Sequence, residues 1–222
     1  MRRTPKVLAA LVATLCGTHA SATLLLSPSS GVPLSLFSGS LGTYVDGAEL
    51  SGSAQTFSGT IRAAVYREAS GTLDFLYQFY NWGPGTDGVS NAISRMSFYQ
   101  FDGFTIDAEY SDADLDGAGI FTVANNPGTA ATADRSDGVI GINYDVTNKV
   151  ALAETSSTYI FRTDATSYGA GTASVIDGST LTRTAFAPAA VPELGTWMAM
   201  AAGFGMLGRS ARVRRRSSSS LA

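Results

Sequence analysis

Apolar side chains recur at every second position over several stretches of this chain, the period of a strand whose two faces meet different surroundings. In residues 60–66, Ile61, Ala63 and Val65 share one face. In residues 72–82, Leu73, Phe75, Tyr77 and Phe79 share one face, while Asp74, Leu76, Gln78 and Tyr80 share the other. The tetrapeptide Glu68-Ala69-Ser70-Gly71 separates the two runs, so the pattern predicts a hairpin. Residues 93–101, 104–110, 139–144 and 158–162 are further predicted strands, rich in aromatic and β-branched side chains.

Six Asp-Gly dipeptides, starting at Asp46, Asp87, Asp102, Asp116, Asp137 and Asp177, punctuate these runs. Asp-Gly suits the positive φ angles of tight hairpin turns. No stretch of residues 23–188 carries a helical period. The expectation is therefore an all-β domain over residues 23–184, folded as an antiparallel β-sandwich or jelly roll. Residues 185–190, in the small-residue run AFAPAAV, read as a linker.

Both ends break the pattern. Arg2, Arg3 and Lys6 precede the apolar run VLAALVATLC, and Ala20-Ser21-Ala22 follows it. A positive start, a short apolar run and a small-x-small site make residues 1–22 a secretory signal peptide, with Ala20 and Ala22 the residues a signal peptidase would read. Near the other end, residues 194–208 are apolar and uncharged, and Arg209, Arg212, Arg214, Arg215 and Arg216 crowd the exit. As a helix this run would reach roughly 22 Å, shorter than the ~30 Å hydrocarbon core. Arginines beyond an apolar helix mark its cytoplasmic end. The predicted flanks of the β-domain are thus a signal peptide and a transmembrane helix, with residues 217–222 as a tail.

Val191-Pro192-Glu193, then Gly195-Thr196-Trp197, a glycine-rich apolar run containing GFGMLG, and an arginine cluster form a three-part order. This order over residues 191–216 resembles a PEP-CTERM sorting signal. Pro192, Glu193, Gly195 and Trp197 carry the likeness, and Leu194 stands where the family usually has a second proline. The resemblance implies an exported protein of a Gram-negative bacterium whose tail is recognised and removed by an exosortase, an integral-membrane cysteine protease. It further implies a transient stay in the inner membrane, then the outer surface or the extracellular matrix, where polysaccharide is a possible partner. No catalytic activity comes with it.

Charge changes the picture once the ends are set aside. The formal net charge of the chain is −3. Residues 23–190 hold seven basic and 17 acidic residues, a net −10. A nucleic-acid binder needs a basic face against phosphate, so that class is excluded. Cys16 is the sole cysteine and His19 the sole histidine, and both precede the predicted cleavage site. Cys/His zinc sites and Ser-His-Asp or Cys-His nucleophile systems are then impossible in the processed protein, and no disulfide can form. Carboxylates, tyrosines and lysine remain.

Three constellations qualify. Asp112, Asp114 and Asp116, followed by Gly117, match the first half of a calcium loop, D-x-D-x-D-G. Val123 occupies the place of the closing glutamate, so calcium would need ligands from elsewhere; otherwise the run is an acidic turn. Asp102, Asp107 and Glu109 form a second acidic group beside Tyr99, Phe101 and Phe104, the residue types of a carboxylate-dependent glycoside hydrolase. Tyr77, Phe79, Tyr80, Trp82 and Tyr99 could stack on sugar rings or fill a sandwich core. The leading expectation is an exported, non-enzymatic surface or matrix protein without a cofactor. A carbohydrate- or calcium-binding envelope module is the alternative, and a secreted hydrolase a third.

Overall fold

The structure, a computed structural model, describes residues 22–116, 119–126 and 131–190. Thirteen strands and no helix occur among them. The strands are β1 (Thr23–Leu24), β2 (Ser29–Pro33), β3 (Ser35–Leu36), β4 (Thr43–Ser53), β5 (Ser58–Arg67), β6 (Leu73–Gly83), β7 (Arg95–Tyr99), β8 (Ile106–Ser111), β9 (Thr132–Ser136), β10 (Val139–Asn143), β11 (Thr158–Thr163), β12 (Ser167–Asp177) and β13 (Ser179–Ala189).

They form two sheets. The first runs β1-β8-β11-β6-β5-β4, with β3 also on the β8 edge; the second runs β13-β12-β7-β10-β9-β2. Every pairing is antiparallel except the short β3–β8 contact. The described residues are all-β, with the two-layer antiparallel build of a β-sandwich. The predicted hairpin is β5–β6, closed by the Glu68 N–H donating to the Thr72 carbonyl at 2.9 Å.

The inner faces meet in one core, and the period-two pattern dictates it. Ile61, Ala63 and Val65 of β5 and Phe75, Tyr77 and Phe79 of β6 point inward against Met96 and Phe98 of β7, Ile140 and Ile142 of β10, and Val175 of β12. An aromatic layer bridges the sheets. Tyr77 stacks on Phe98 at 4.2 Å, Phe98 meets Phe161 edge-on at 5.2 Å, and Phe101 meets both Phe75 and Phe161 within 5.8 Å. The Tyr77 hydroxyl, fully enclosed, donates to the Phe186 carbonyl.

Two expectations change. The predicted linker at residues 185–190 is instead the end of β13 as far as Ala189. It pairs with β12 from Ser167↔Ala189 to Asp177↔Ser179. Ala185 and Ala187 are buried, and Phe186 packs edge-on against Tyr168 at 5.8 Å. Pro188 is tolerated because β13 is an edge strand, half of whose N–H groups have no ladder partner. Asp46-Gly47 is not a turn but lies inside β4, beside a bulge between Tyr44 and Asp46. Asp137 (φ 50°), Gly88 (81°), Gly103 (77°) and Gly178 (69°) do supply positive φ in the turns expected of their dipeptides.

Among the described residues no helix is long and apolar enough to cross a membrane. The predicted signal peptide, except Ala22, and the predicted membrane segment at 194–208 lie outside them.

Candidate functional site

The outer face of the first sheet carries most of the unusual chemistry. Register places Tyr44, Tyr66, Asp74, Arg162 and Asp107 in one row across β4, β5, β6, β11 and β8. The next row is Gly47, Ala64, Leu76, Ile160 and Glu109. Residues from the segments after β3 and after β8 lie over these rows. Phe37, Leu41, Leu115, Ile120 and Phe121 pack on Ala64, Tyr66, Leu76 and Ile160, making a second, smaller apolar cluster. Gln78, fully buried, pins the second segment in strand-like fashion: its Nε2 donates to the Thr122 carbonyl at 2.7 Å, and its Oε1 accepts the Thr122 N–H at 3.1 Å. Gly47 makes the close approach possible, since a Cβ there would lie 2.0 Å from Ile120 Cδ1.

Between the two segments is a cavity of about 680 Å³. Phe37, Leu41, Tyr44, Tyr66, Asp114, Asp116 and Ile120 are among its walls. Tyr44 and Tyr66 meet at 5.6 Å with their planes 78° apart, forming an aromatic corner. Burial and the carboxylates of Asp116 and Asp114 push the Tyr66 hydroxyl up to about 12, so it stays protonated.

The three aspartates of the predicted calcium half-loop turn to different partners. Asp112 Oδ1 accepts the Ser157 hydroxyl, and its carbonyl accepts the Ala124 N–H at 2.9 Å. Asp114 Oδ1 accepts the Asp116 N–H at 3.2 Å. Asp116 accepts the N–H groups of Gly119, Ile120 and Phe121 at 3.2, 2.8 and 3.3 Å, so it staples the cover segment. Among the described residues no group of three or more metal-ligating side chains is placed to hold an ion.

The acidic group Asp102, Asp107 and Glu109 is divided between the sheets: Asp107 and Glu109 are neighbours on β8, and Asp102 is not with them. Asp102 is exposed on the turn after β7 and lines a cleft with Arg95 and Asp134 on the second sheet. Glu109 is buried on the first sheet, 3.2 Å from Arg162 Nε. Asp74 shares that guanidinium at 3.9 Å, is 1% exposed, and has Glu68 beside it. Burial first, then the Glu68 carboxyl, push Asp74 up to about 8 against the pull of Arg162. Burial also raises Glu109. One guanidinium thus serves an excess of carboxyls, and a proton makes up the shortfall. Arg162 also lies 5.2 Å over the Phe37 ring.

The five aromatics do not form one platform. Tyr77 and Phe79 are core residues. Tyr80 and Trp82 stand on the outer face of β6, with Arg62 5.9 Å over the Tyr80 ring and Trp82 44% exposed. Tyr99 belongs to the second sheet.

Two arginines were missed in the sequence. Arg95 forms a two-pronged pair with Asp134, with Nη2 2.9 Å from Oδ1, and the Asn143 side chain joins both. The Arg95 side chain holds the Asp134 carboxyl below its usual range. The guanidinium lies across Gly141, where a Cβ would come within 2.0 Å of Nη2. Arg135, buried, donates to the carbonyls of Leu25, Phe101 and Phe104 at 2.9, 3.1 and 2.6 Å. The adjacency Asp134-Arg135 is the only trace these contacts leave in the sequence.

Of the end motifs, Ala22 is described and immediately precedes β1. Ala20, Pro192, Glu193, Gly195, Trp197 and the five arginines from Arg209 to Arg216 lie outside the described residues. Compared with protein-family models, curated proteins and solved structures, the chain matches none.

Proposed function

We propose that this is an exported, non-catalytic surface or matrix protein of a Gram-negative bacterium, released from an inner-membrane intermediate through a PEP-CTERM-like signal. The processed β-domain would be flanked at first by a cleavable leader and a membrane helix at 194–208. One observation carries the reading. The first described strand opens at Thr23, the residue after the Ala20-Ser21-Ala22 site, and the last closes at Ala189, two residues before Val191. The described strands therefore lie between the two sorting motifs, and cutting at either motif would remove none of them.

Signal peptidase would act after Ala22. Exosortase would act near Pro192-Glu193, where proline interrupts a helix and a carboxylate resists burial in lipid. The arginines from Arg209 to Arg216 would hold the far end at the cytoplasmic face. The test is the intact mass of the protein from hosts with and without exosortase. The expected result is an amino terminus at Thr23 in both, and loss of the arginine tail only where exosortase is present. A tail retained in the exosortase-positive host overturns the sorting reading and leaves a plain single-pass anchor.

A further inference from the structure

The cavity over the first sheet is unlike an ordinary surface dent in its chemistry. Two tyrosine rings at 78° make a corner, and Phe37, Leu41, Leu115 and Ile120 supply apolar walls. Among the described residues its charged lining side chains are Asp114 and Asp116, with no lysine, arginine or histidine in the lining. Arg162 stands at the Gly39 edge of the wall, where a Cβ on Gly39 would lie 2.9 Å from its Nη2; its charge is directed to Glu109 and Asp74, and the Phe37 ring lies under the guanidinium. Side-chain donors in the lining are hydroxyls alone, those of Ser40, Tyr44 and Tyr66, and the Tyr66 hydroxyl sits under the charge of Asp116. The cavity is thus rich in acceptors and π surface and poor in donors.

That balance selects among ligands. An anion would meet two carboxylates, and the one guanidinium at the edge, Arg162, already faces Glu109 and Asp74. A neutral sugar could donate its hydroxyls to the carboxylates and stack on the rings, but it would leave the two negative charges unanswered. A bare divalent ion needs converging oxygens, whereas Asp116 is committed to three backbone N–H groups. An ammonium group fits: aromatic quadrupoles attract it, and carboxylates complete the charge. A volume of about 680 Å³ is in the usual range for an organic ligand rather than an ion. The apolar walls would take its carbon body. The net −10 of residues 23–190 favours approach of cations from solution.

We infer that the cavity bounded by Tyr44, Tyr66, Phe37 and Asp114 is a binding site for an organic ammonium ion. The site stands whether or not the chain is sorted as proposed above, because it rests on the domain alone.

The experiment is calorimetric titration of the purified full chain with choline, with its uncharged carbon isostere 3,3-dimethylbutan-1-ol, with glucose and with calcium chloride. Choline should bind, and the isostere should bind at least about tenfold more weakly, because it matches the shape without the charge. Asp114→Asn keeps the Oδ1 that accepts the Asp116 N–H and should weaken choline severalfold while leaving the melting temperature unchanged. Tyr44→Leu keeps apolar bulk on an exposed residue and should also weaken it. Equal binding of choline and the isostere overturns the inference, as does binding of glucose or calcium with none of choline, or no heat with any of the four.

Discussion

Asp74 is the residue whose ionisation is most at odds with its surroundings. It is buried beside Glu68, with Glu109 competing for the same Arg162. Its folded value near 8 lies far above an unfolded aspartate near 3.9. The folded state therefore binds the extra proton between those limits, and stability must fall as pH rises through that window and level off above it. Glu109, also raised, acts in the same direction. Asp134 is lowered by Arg95 and acts oppositely, but its contribution is lost only below the unfolded carboxylate range. Chemical denaturation across pH 5 to about 8.5 should show the decline in the wild type. Asp74→Asn, permanently neutral, should flatten it. An equally steep decline in the variant would move the proton elsewhere. A second residue-scale expectation concerns the acidic run. Asp116→Ala removes the acceptor of three N–H groups of the cover segment, two of them part-buried, and should cost about 1–3 kcal/mol, while Asp114→Ala, at an exposed position, should cost less. Denaturation with and without calcium checks the origin of this difference: equal losses seen only with calcium would restore the metal loop.

At the scale of elements, strands with large side chains on one face were legible and strands built from small residues were not. β5 and β6 place Ile, Val, Leu, Phe and Tyr at alternate positions on one face against a mixed outer face, and their hairpin follows from the pattern. β12 and β13 read SYGAGTASVID and STLTRTAFAPA, where glycine, alanine and threonine blur the period and Pro188 imitates a linker. They pair tightly because small faces allow it: a Cβ on Gly171 would sit 2.4 Å from that of Ala187. The cavity was illegible for a related reason. Tyr44 and Tyr66 are 22 positions apart and Asp114 is 48 further on, so only strand register and the covering segments unite them. The Asp112-Asp114-Asp116 spacing was visible, but its use was not, since backbone N–H groups leave no mark in the sequence. Arg135 shows what such hidden contacts do between elements. It ties Leu25, after β1, to the turn between β7 and β8. Arg135→Met should leave those carbonyls without their donor, at about 1–3 kcal/mol for each one left buried. Hydrogen exchange should then rise first at Leu25, whose N–H donates to the Ile106 carbonyl at 2.8 Å.

For the whole molecule, the consequence of one shared core is cooperativity. Among the described residues no cysteine occurs, so no disulfide holds the sheets, and the described helix content is nil. What joins them is the layer in which Phe98 of the second sheet touches Tyr77 and Phe161 of the first, with Phe101 against Phe75 and Phe161. Each sheet has one face on this core, so neither can keep its inner face dry alone. The two should unfold together, in a single transition. Phe98→Ala tests this, since Phe98 is fully buried and central to the layer. Truncating a buried phenylalanine costs about 3–5 kcal/mol, of which part reflects the void left behind. The loss should appear equally in amides of β6 and β11 on one sheet and of β7 and β12 on the other. It should be the same under reducing and non-reducing conditions. If exchange accelerated in β7 and β12 alone while β6 and β11 kept their protection, the sheets would be separate folding units and the shared core would not be what holds the sandwich together.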